Sequence, residues 1–140
     1  MLTVNDGIKY LRSCGAKITS PRIAILKLLE SRHDHPSAEQ IFLELKPVCP
    51  SLSIATVYST AQLLAKGSML RILSIDGKKV YFDPDMSAHG HFLCKSCKKL
   101  FDVMTACDIM ASFIPSAGIS SVEGAEVFYY GCCAKCACRT

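Results

Sequence analysis

Two Cys-x-x-Cys pairs, Cys94/Cys97 and Cys133/Cys136, constrain this chain more than any other feature. Thiolates three apart can span neighbouring corners of a tetrahedron, and two such pairs complete a structural zinc site. The stretch between the pairs, residues 98–132, exceeds a finger loop, so such a site would staple the chain's end to its core. Buried free thiols or a redox pair are the competing reading. The N-terminus lacks a basic region followed by an apolar core, so an exported disulfide scaffold is not expected. The other cysteines differ in expected role. Cys132 and Cys138 crowd the second pair, while Cys14, Cys49 and Cys107 read as core thiols.

Charge divides the chain at the same place. The whole carries +4. Residues 1–82 hold 11 Lys/Arg against 6 Asp/Glu, a balance of +5, and residues 83–140 hold 5 against 6, a balance of −1, with seven of the nine cysteines. The expected organisation is a basic domain over 1–82 and a thiol-rich domain over 83–140. No apolar run approaches the roughly 18 residues of a membrane span, so a cytoplasmic protein with no membrane partner is expected.

The front half reads as helices closed by a hairpin. A first helix over Val4–Ser13 stops at Cys14-Gly15. Thr19-Ser20-Pro21 starts a second, with a hydroxyl cap and proline in the first turn. Ser37-Ala-Glu-Gln40 is a capping box for a third, burying Ile41, Phe42 and Leu45. Ser53 starts a fourth, with Ile54, Val57, Ala61 and Leu64 spaced to face a core. Two β-prone runs, Leu70–Ile75 and Lys79–Phe82, flank Asp76-Gly77 as a hairpin would. Helices followed by a hairpin is the order of a winged helix-turn-helix, against a generic helical domain with an edge hairpin. In the back half, His91–Cys94 and Leu100–Val103 read as strands, Thr105–Ala117 as a helix, and Glu126–Tyr130 as a β-prone run.

The four histidines fall in two pairs, His33/His35 and His89/His91. Residues two apart on an extended segment point the same way, so His89 and His91 can grip one ion. Asp83, Asp85 and Asp102 offer oxygen nearby, and a thiolate-free site suits Fe(II), Mn(II) or Zn(II).

With these motifs in place, the chain resembles the ferric uptake regulator (Fur) family over nearly its full length. The carrying residues are Ile18-Thr-Ser-Pro-Arg22, His35-Pro-Ser-Ala-Glu-Gln40, Ser53-Ile-Ala-Thr-Val-Tyr58, His89-Gly-His91 with Cys94-x-x-Cys97, and Tyr130-Gly-Cys-Cys133-x-x-Cys136. The resemblance implies an α+β fold: an N-terminal winged helix-turn-helix DNA-binding domain, then a C-terminal α/β dimerisation domain with structural zinc on Cys94, Cys97, Cys133 and Cys136. It implies a regulatory Fe(II) or Mn(II) site on His35, Asp83, His89, His91 and Asp102. It also implies a homodimeric transcriptional repressor of operator DNA rather than an enzyme.

Aspartates at 83 and 102, where iron-sensing members typically have glutamates, resemble the peroxide-sensing PerR branch. There, Fe(II)-catalysed oxidation would modify a ligand histidine, His35 or His89. An iron- or manganese-responsive regulator without peroxide sensing is the alternative, and an imidazole–carboxylate metalloenzyme the rival from another class. No His-Glu-x-x-His helix or Ser/His/Asp arrangement supports the rival. Histidines that many members carry elsewhere are replaced by Ser87-Ala88 and Ser121–Ala125, so no further regulatory site is expected. On the fourth helix Ser53, Thr56, Ser59, Thr60, Gln62 and Lys66 are expected on the exposed side, with Tyr58 near its boundary. Thr56, Tyr58 and Gln62 are candidates for base edges, with Tyr58 equally readable as a packed residue. Arg22, Lys66, Arg71, Lys78 and Lys79 read as phosphate contacts or as an ordinary solvated face.

Overall fold

A computed structural model describes residues 1–75, 77–104, 118, 120–121 and 125–137. The expected helix over Thr105–Ala117, the turn residue Asp76, and Cys107 and Cys138 lie outside the described residues. The chain divides into two compact units, Met1–Met86 and Ser87–Thr140. The division falls beyond the 82/83 junction expected from sequence, so Asp83 stands with the first unit.

The first unit holds α1 (Val4–Ser13), α2 (Ser20–Glu30), α3 (Ala38–Leu45), α4 (Ile54–Lys66), β1 (Arg71–Leu73) and β2 (Tyr81–Asp83). Local chemistry sets the helix starts. Thr3 and Ser53 cap α1 and α4 by accepting from the N–H of Asp6 and Thr56, and Ser37 and Gln40 complete a reciprocal capping box on α3. Thr19 occupies the cap position of α2 without making a side-chain cap bond, contrary to expectation, and Pro21 in the first turn marks that start instead.

The core is one cluster built on Leu11, Ile25, Leu26, Leu29, Ile41, Val57, Leu64 and Phe82. Two residues of α4 exchange their expected places. Ile54 is 38 % exposed, whereas Thr60 is fully buried beside Val57, Ala61 and Leu64. The core stripe is therefore 57, 60, 61 and 64, and the first turn of α4 overhangs the core edge.

The hairpin forms with shorter strands than the two β-prone runs suggest. Arg71, Ile72 and Leu73 pair antiparallel with Asp83, Phe82 and Tyr81. Gly77, at the centre of that register, has a φ of +69°, which suits glycine. On its other side β2 meets the segment that enters α3: Ser37 bridges Tyr81, and the Phe82 N–H donates to the Pro36 carbonyl at 2.9 Å.

Among its described residues the second unit forms a three-stranded sheet ordered β4–β3–β5, with β3 (Gly90–Cys94) central, β4 (Leu100–Val103) antiparallel to it and β5 (Phe128–Gly131) parallel. A one-turn helix, α5 (Ala134–Ala137), follows β5. Among the described residues, no helix is long and apolar enough to cross a membrane.

Candidate metal centres

The sulfur cluster follows from the parallel pairing of β3 with β5. Register sets Cys94, the last residue of β3, opposite Gly131, the last of β5. The chain leaving β5 therefore delivers Cys133 beside Cys94. A turn after β3 folds back through Lys98, whose φ is +60° and whose N–H donates to the Cys94 carbonyl at 2.9 Å, placing Cys97 alongside. The Lys95 N–H donates to the Gly131 carbonyl at 2.7 Å and ties the turn to β5. The sheet is tight at Gly131, where an added Cβ would lie 3.1 Å from the Phe92 ring and the ring would have to give by a few tenths of an ångström.

Cys94, Cys97, Cys133 and Cys136 present sulfurs that all lie within 4.8 Å of one another, with Cys97 and Cys133 3.8 Å apart. Tetrahedral ligands with bonds of about 2.3 Å to zinc stand about 3.8 Å apart, so the donor set fits that ion. The cluster's own electrostatics divide its thiols. Backbone N–H groups of Cys97 and then Cys133 hold Cys94 down at about 6. For Cys136, the hydrogen bond with Ser96 lowers the pKa, but neighbouring thiols and burial outweigh it and push the group up to about 12. Cys132 is exposed beside this cluster. Cys49 is buried as expected, but Cys14 is exposed rather than part of the core.

The second centre lies on the same sheet. His89 precedes β3 by one residue and His91 lies within it, so both imidazoles share a side; Asp102 of β4 is directly opposite His91. The two Nε2 atoms are 3.0 Å apart, and Asp102 Oδ1 stands 3.3 Å from His89 Nε2 and 3.9 Å from His91 Nε2. His89 Nδ1 is 2.9 Å from the Ser87 carbonyl, which can only accept. That contact assigns the proton to Nδ1 and turns the lone pair of Nε2 toward His91 and Asp102. Two nitrogens about 2.1 Å from one ion and at right angles to it lie about 3.0 Å apart. The two imidazoles and one carboxylate thus fit a divalent ion.

The first unit contributes its own pair. The Ser37–Tyr81 bridge, continued two residues along an antiparallel register, sets His35 against Asp83, with His35 Nε2 3.8 Å from Asp83 Oδ1 and both residues buried. The Asp85 N–H donates to Asp83 Oδ1 at 2.8 Å. His33 is exposed.

Of the residues expected to face DNA, Gln62 and Lys66 are exposed, whereas Thr56, Tyr58 and Ser59 are half-buried. Thr56 shares a hydrogen bond with Ser53, and Ser59 donates to the Thr56 carbonyl. Tyr58 meets the Phe82 ring edge-on at 6.4 Å and donates to Glu39 at 3.4 Å; burial and then the Glu39 charge raise its pKa. Arg22 donates to the Lys17 carbonyl. Arg71 is not simply a solvated basic residue: its guanidinium is 3.7 Å from Asp83 and donates to the Met86 carbonyl at 2.9 Å. Counting outward from Gly77 would have placed Arg71 opposite Asp83 from sequence alone. Sequence reasoning also missed Ile54 and Ala55, which stand exposed in the first turn of α4.

A model of the ferric uptake regulator family matches residues 13–116. The peroxide-responsive repressor PerR of Staphylococcus aureus is 33 % identical over 99 residues, which cover 71 % of this chain and 67 % of that relative. Among solved structures, the ferric uptake regulator of Francisella tularensis with iron is similar at a TM-score of 0.76 and 26 % identity, over 88 % of this chain and 96 % of that one. PerR from Streptococcus pyogenes is similar at 0.54 and 28 % identity, over 97 % and 94 % of the two chains.

Proposed function

The chain belongs to the ferric uptake regulator family, and on that premise we propose that it is a metal-dependent DNA-binding repressor that senses peroxide. The observation that carries the reading is the pair of imidazoles with Nε2 atoms 3.0 Å apart beside Asp102, a two-histidine, one-carboxylate donor set. Such a set leaves coordination positions open and suits Fe(II). The PerR relative, and aspartate at both 83 and 102, support the peroxide branch. In this reading His35 and Asp83 join His89, His91 and Asp102 on one divalent ion, Fe(II) or Mn(II). Cys94, Cys97, Cys133 and Cys136 hold structural zinc.

Each residue then has a defined task. Ser87 fixes the tautomer of His89, and Asp102 supplies negative charge beside both imidazoles. Bound Fe(II) would supply the reducing chemistry that opens the O–O bond of hydrogen peroxide. His35 and His89 would be the imidazoles placed to take up one of its oxygens at a ring carbon, with the other released as water. An oxidised imidazole is a poorer donor, so the ligand set fails and the protein shifts toward its DNA-free state. In a homodimer, the spacing of the two α4 helices must match successive major-groove sites, which makes geometry the controlled variable.

The winged-helix unit and the +5 balance of residues 1–82, +3 with Asp83 and Asp85 included, support operator DNA as the partner. Helix N-termini reach base edges in this class of domain, and exposed Ile54 and Ala55 offer apolar contact suited to thymine methyl groups. Gln62 and Lys66 follow on the exposed side, and Arg22 stands at the start of α2.

The test compares DNA binding with Fe(II) and with Mn(II), before and after peroxide, followed by peptide mass analysis. The reading expects metal-dependent binding, loss after peroxide with Fe(II) alone, and one added oxygen on the His35 or His89 peptide. Retained binding with both histidines unmodified would make the chain an iron- or manganese-responsive regulator. Binding indifferent to metal and salt would remove the regulator reading altogether.

A further inference from the structure

Asp83 is enclosed by its own sheet register. Arg71 of β1 lies directly opposite it on one side, and the Ser37–Tyr81 bridge carries His35 up to it on the other. The residue is only 1 % exposed. A carboxylate so far from water requires compensation, by hydrogen bonds or by an opposite charge. The Asp85 N–H serves Oδ1, where His35 also approaches; Arg71 Nη1 stands 3.7 Å from Oδ2. An amide carries no charge and an imidazole carries one only when protonated. Arg71 brings a permanent one. Its guanidinium is held in place from behind, because Nη2 donates to the Met86 carbonyl at 2.9 Å, and its side chain is 25 % exposed.

We propose that Arg71 is an internal cation that neutralises Asp83 in the metal-free protein and competes there with the regulatory ion. The inference rests on the reading that Asp83 is a ligand of that ion. A divalent cation on the Oδ1 side of Asp83 would lie within a few ångströms of the guanidinium. Repulsion at that range is inside the screening length of physiological salt and is largely retained in a half-buried site. The carboxylate that attracts the ion is also already partly neutralised by Arg71. Both effects lower affinity, so Arg71 sets a threshold below which the site remains metal-free. As a positioning residue it also fixes which oxygen of Asp83 faces the ion: the contact with Oδ2 leaves Oδ1 on the His35 side.

The test uses the full-length, zinc-replete protein at fixed ionic strength. Mn(II) affinity and the melting temperature of the protein without regulatory metal are measured for the wild type, Arg71→Met, Arg71→Lys, Asp83→Asn and the Arg71→Met/Asp83→Asn double variant. Arg71→Met should bind Mn(II) on the order of tenfold more tightly, and Arg71→Lys should stay near the wild type. Without regulatory metal, Arg71→Met should melt earlier, and that deficit should shrink in the Asp83→Asn background, where no carboxylate remains to be neutralised. Unchanged or weaker Mn(II) binding by Arg71→Met would overturn the competition. A melting deficit of full size in the Asp83→Asn background would overturn the neutralisation. If Asp83→Asn itself leaves Mn(II) affinity unchanged, the ligand reading fails and the competition with it, while the melting comparison still decides whether Arg71 neutralises Asp83.

Discussion

The thiol cluster makes a quantitative prediction about how its metal affinity varies with pH. Binding a structural ion requires all four sulfurs as thiolates, so every thiol still protonated gives up a proton on binding. Cys94, lowered from an ordinary 9.0 to about 6, has already ionised near neutrality, and Cys136, raised to about 12, has not. At pH 7 Cys94 therefore releases only about a tenth of a proton and Cys136 about one whole proton. The slope of log affinity against pH equals the number of protons released. As pH falls from 8 to 5, the Cys136 share stays at about one, while the Cys94 share grows from almost nothing toward one. The slope should steepen by about one proton, centred near pH 6.

The assay must report sulfur ligation alone. Co(II) in competition with a chelator, read by its thiolate charge-transfer absorption, meets that requirement. The same shift bears on folding in the absence of metal. A group with a depressed folded pKa contributes stability that is fully present above its unfolded value, here 9.0, and is lost as pH falls through about 6. A straight line through pH 6 would refute the reasoning, because it would mean that the N–H groups of Cys97 and Cys133 do not stabilise the Cys94 thiolate.

Three further outcomes follow from particular contacts. The buried Thr60 Oγ1 has no hydrogen-bond partner among the described residues, so Thr60→Val, of nearly the same shape, should stabilise the protein by about 1 kcal/mol in urea unfolding; a loss of stability would mean that the hydroxyl is satisfied. If Ile54 and Ala55 read thymine methyls, operator DNA carrying deoxyuridine in place of thymidine should bind about 1 kcal/mol more weakly per contacted methyl. That penalty should diminish in Ile54→Ser, and equal binding of both duplexes would sink the idea. At the end of α4 an added Cβ on Gly67 would lie 2.5 Å from the Tyr10 ring, so Gly67→Ala should cost about 1–3 kcal/mol by thermal melting, unless Tyr10 swings clear and the cost is absent.

Local chemistry was legible in the sequence wherever one segment decides its own structure. The capping box of Ser37 and Gln40, the paired cysteines and the His-x-His spacing are of this kind. The exchange of Ile54 and Thr60 shows the limit. Both stripes, one starting at 54 and one including 60, fit helical spacing, and polarity favours isoleucine inside and threonine outside. What decides is the packing of the neighbouring elements, and no property of α4 alone contains that. The parallel pairing of β3 with β5 is similar: nothing local in residues 128–131 marks them as partners of 91–94, although the second cysteine pair had to be brought back to the first by some such route. Arg71 shows a different limit, since a basic residue in a basic domain looks like a surface charge until register puts a buried carboxylate opposite it.

The same register accounts for how a change at Asp83 could reach α4. Phe82, its neighbour, is 1 % exposed in the core, takes the Pro36 carbonyl through its N–H, and meets Tyr58 of α4 edge-on. Asp83, Phe82 and Tyr81 form one strand between β1 and the segment leading to α3, so a backbone shift at Asp83 would be shared with Phe82. The arithmetic of charge argues for such a mechanical route. Four thiolates and their zinc would lower the chain from +4 to about +2, and a regulatory divalent ion would restore about +4. A change of that size, at a site where Arg71 already supplies positive charge, adds little to the attraction for phosphates. A mechanical route would run from Phe82 through its edge-on contact with Tyr58 to α4, one turn away from exposed Ile54 and Ala55.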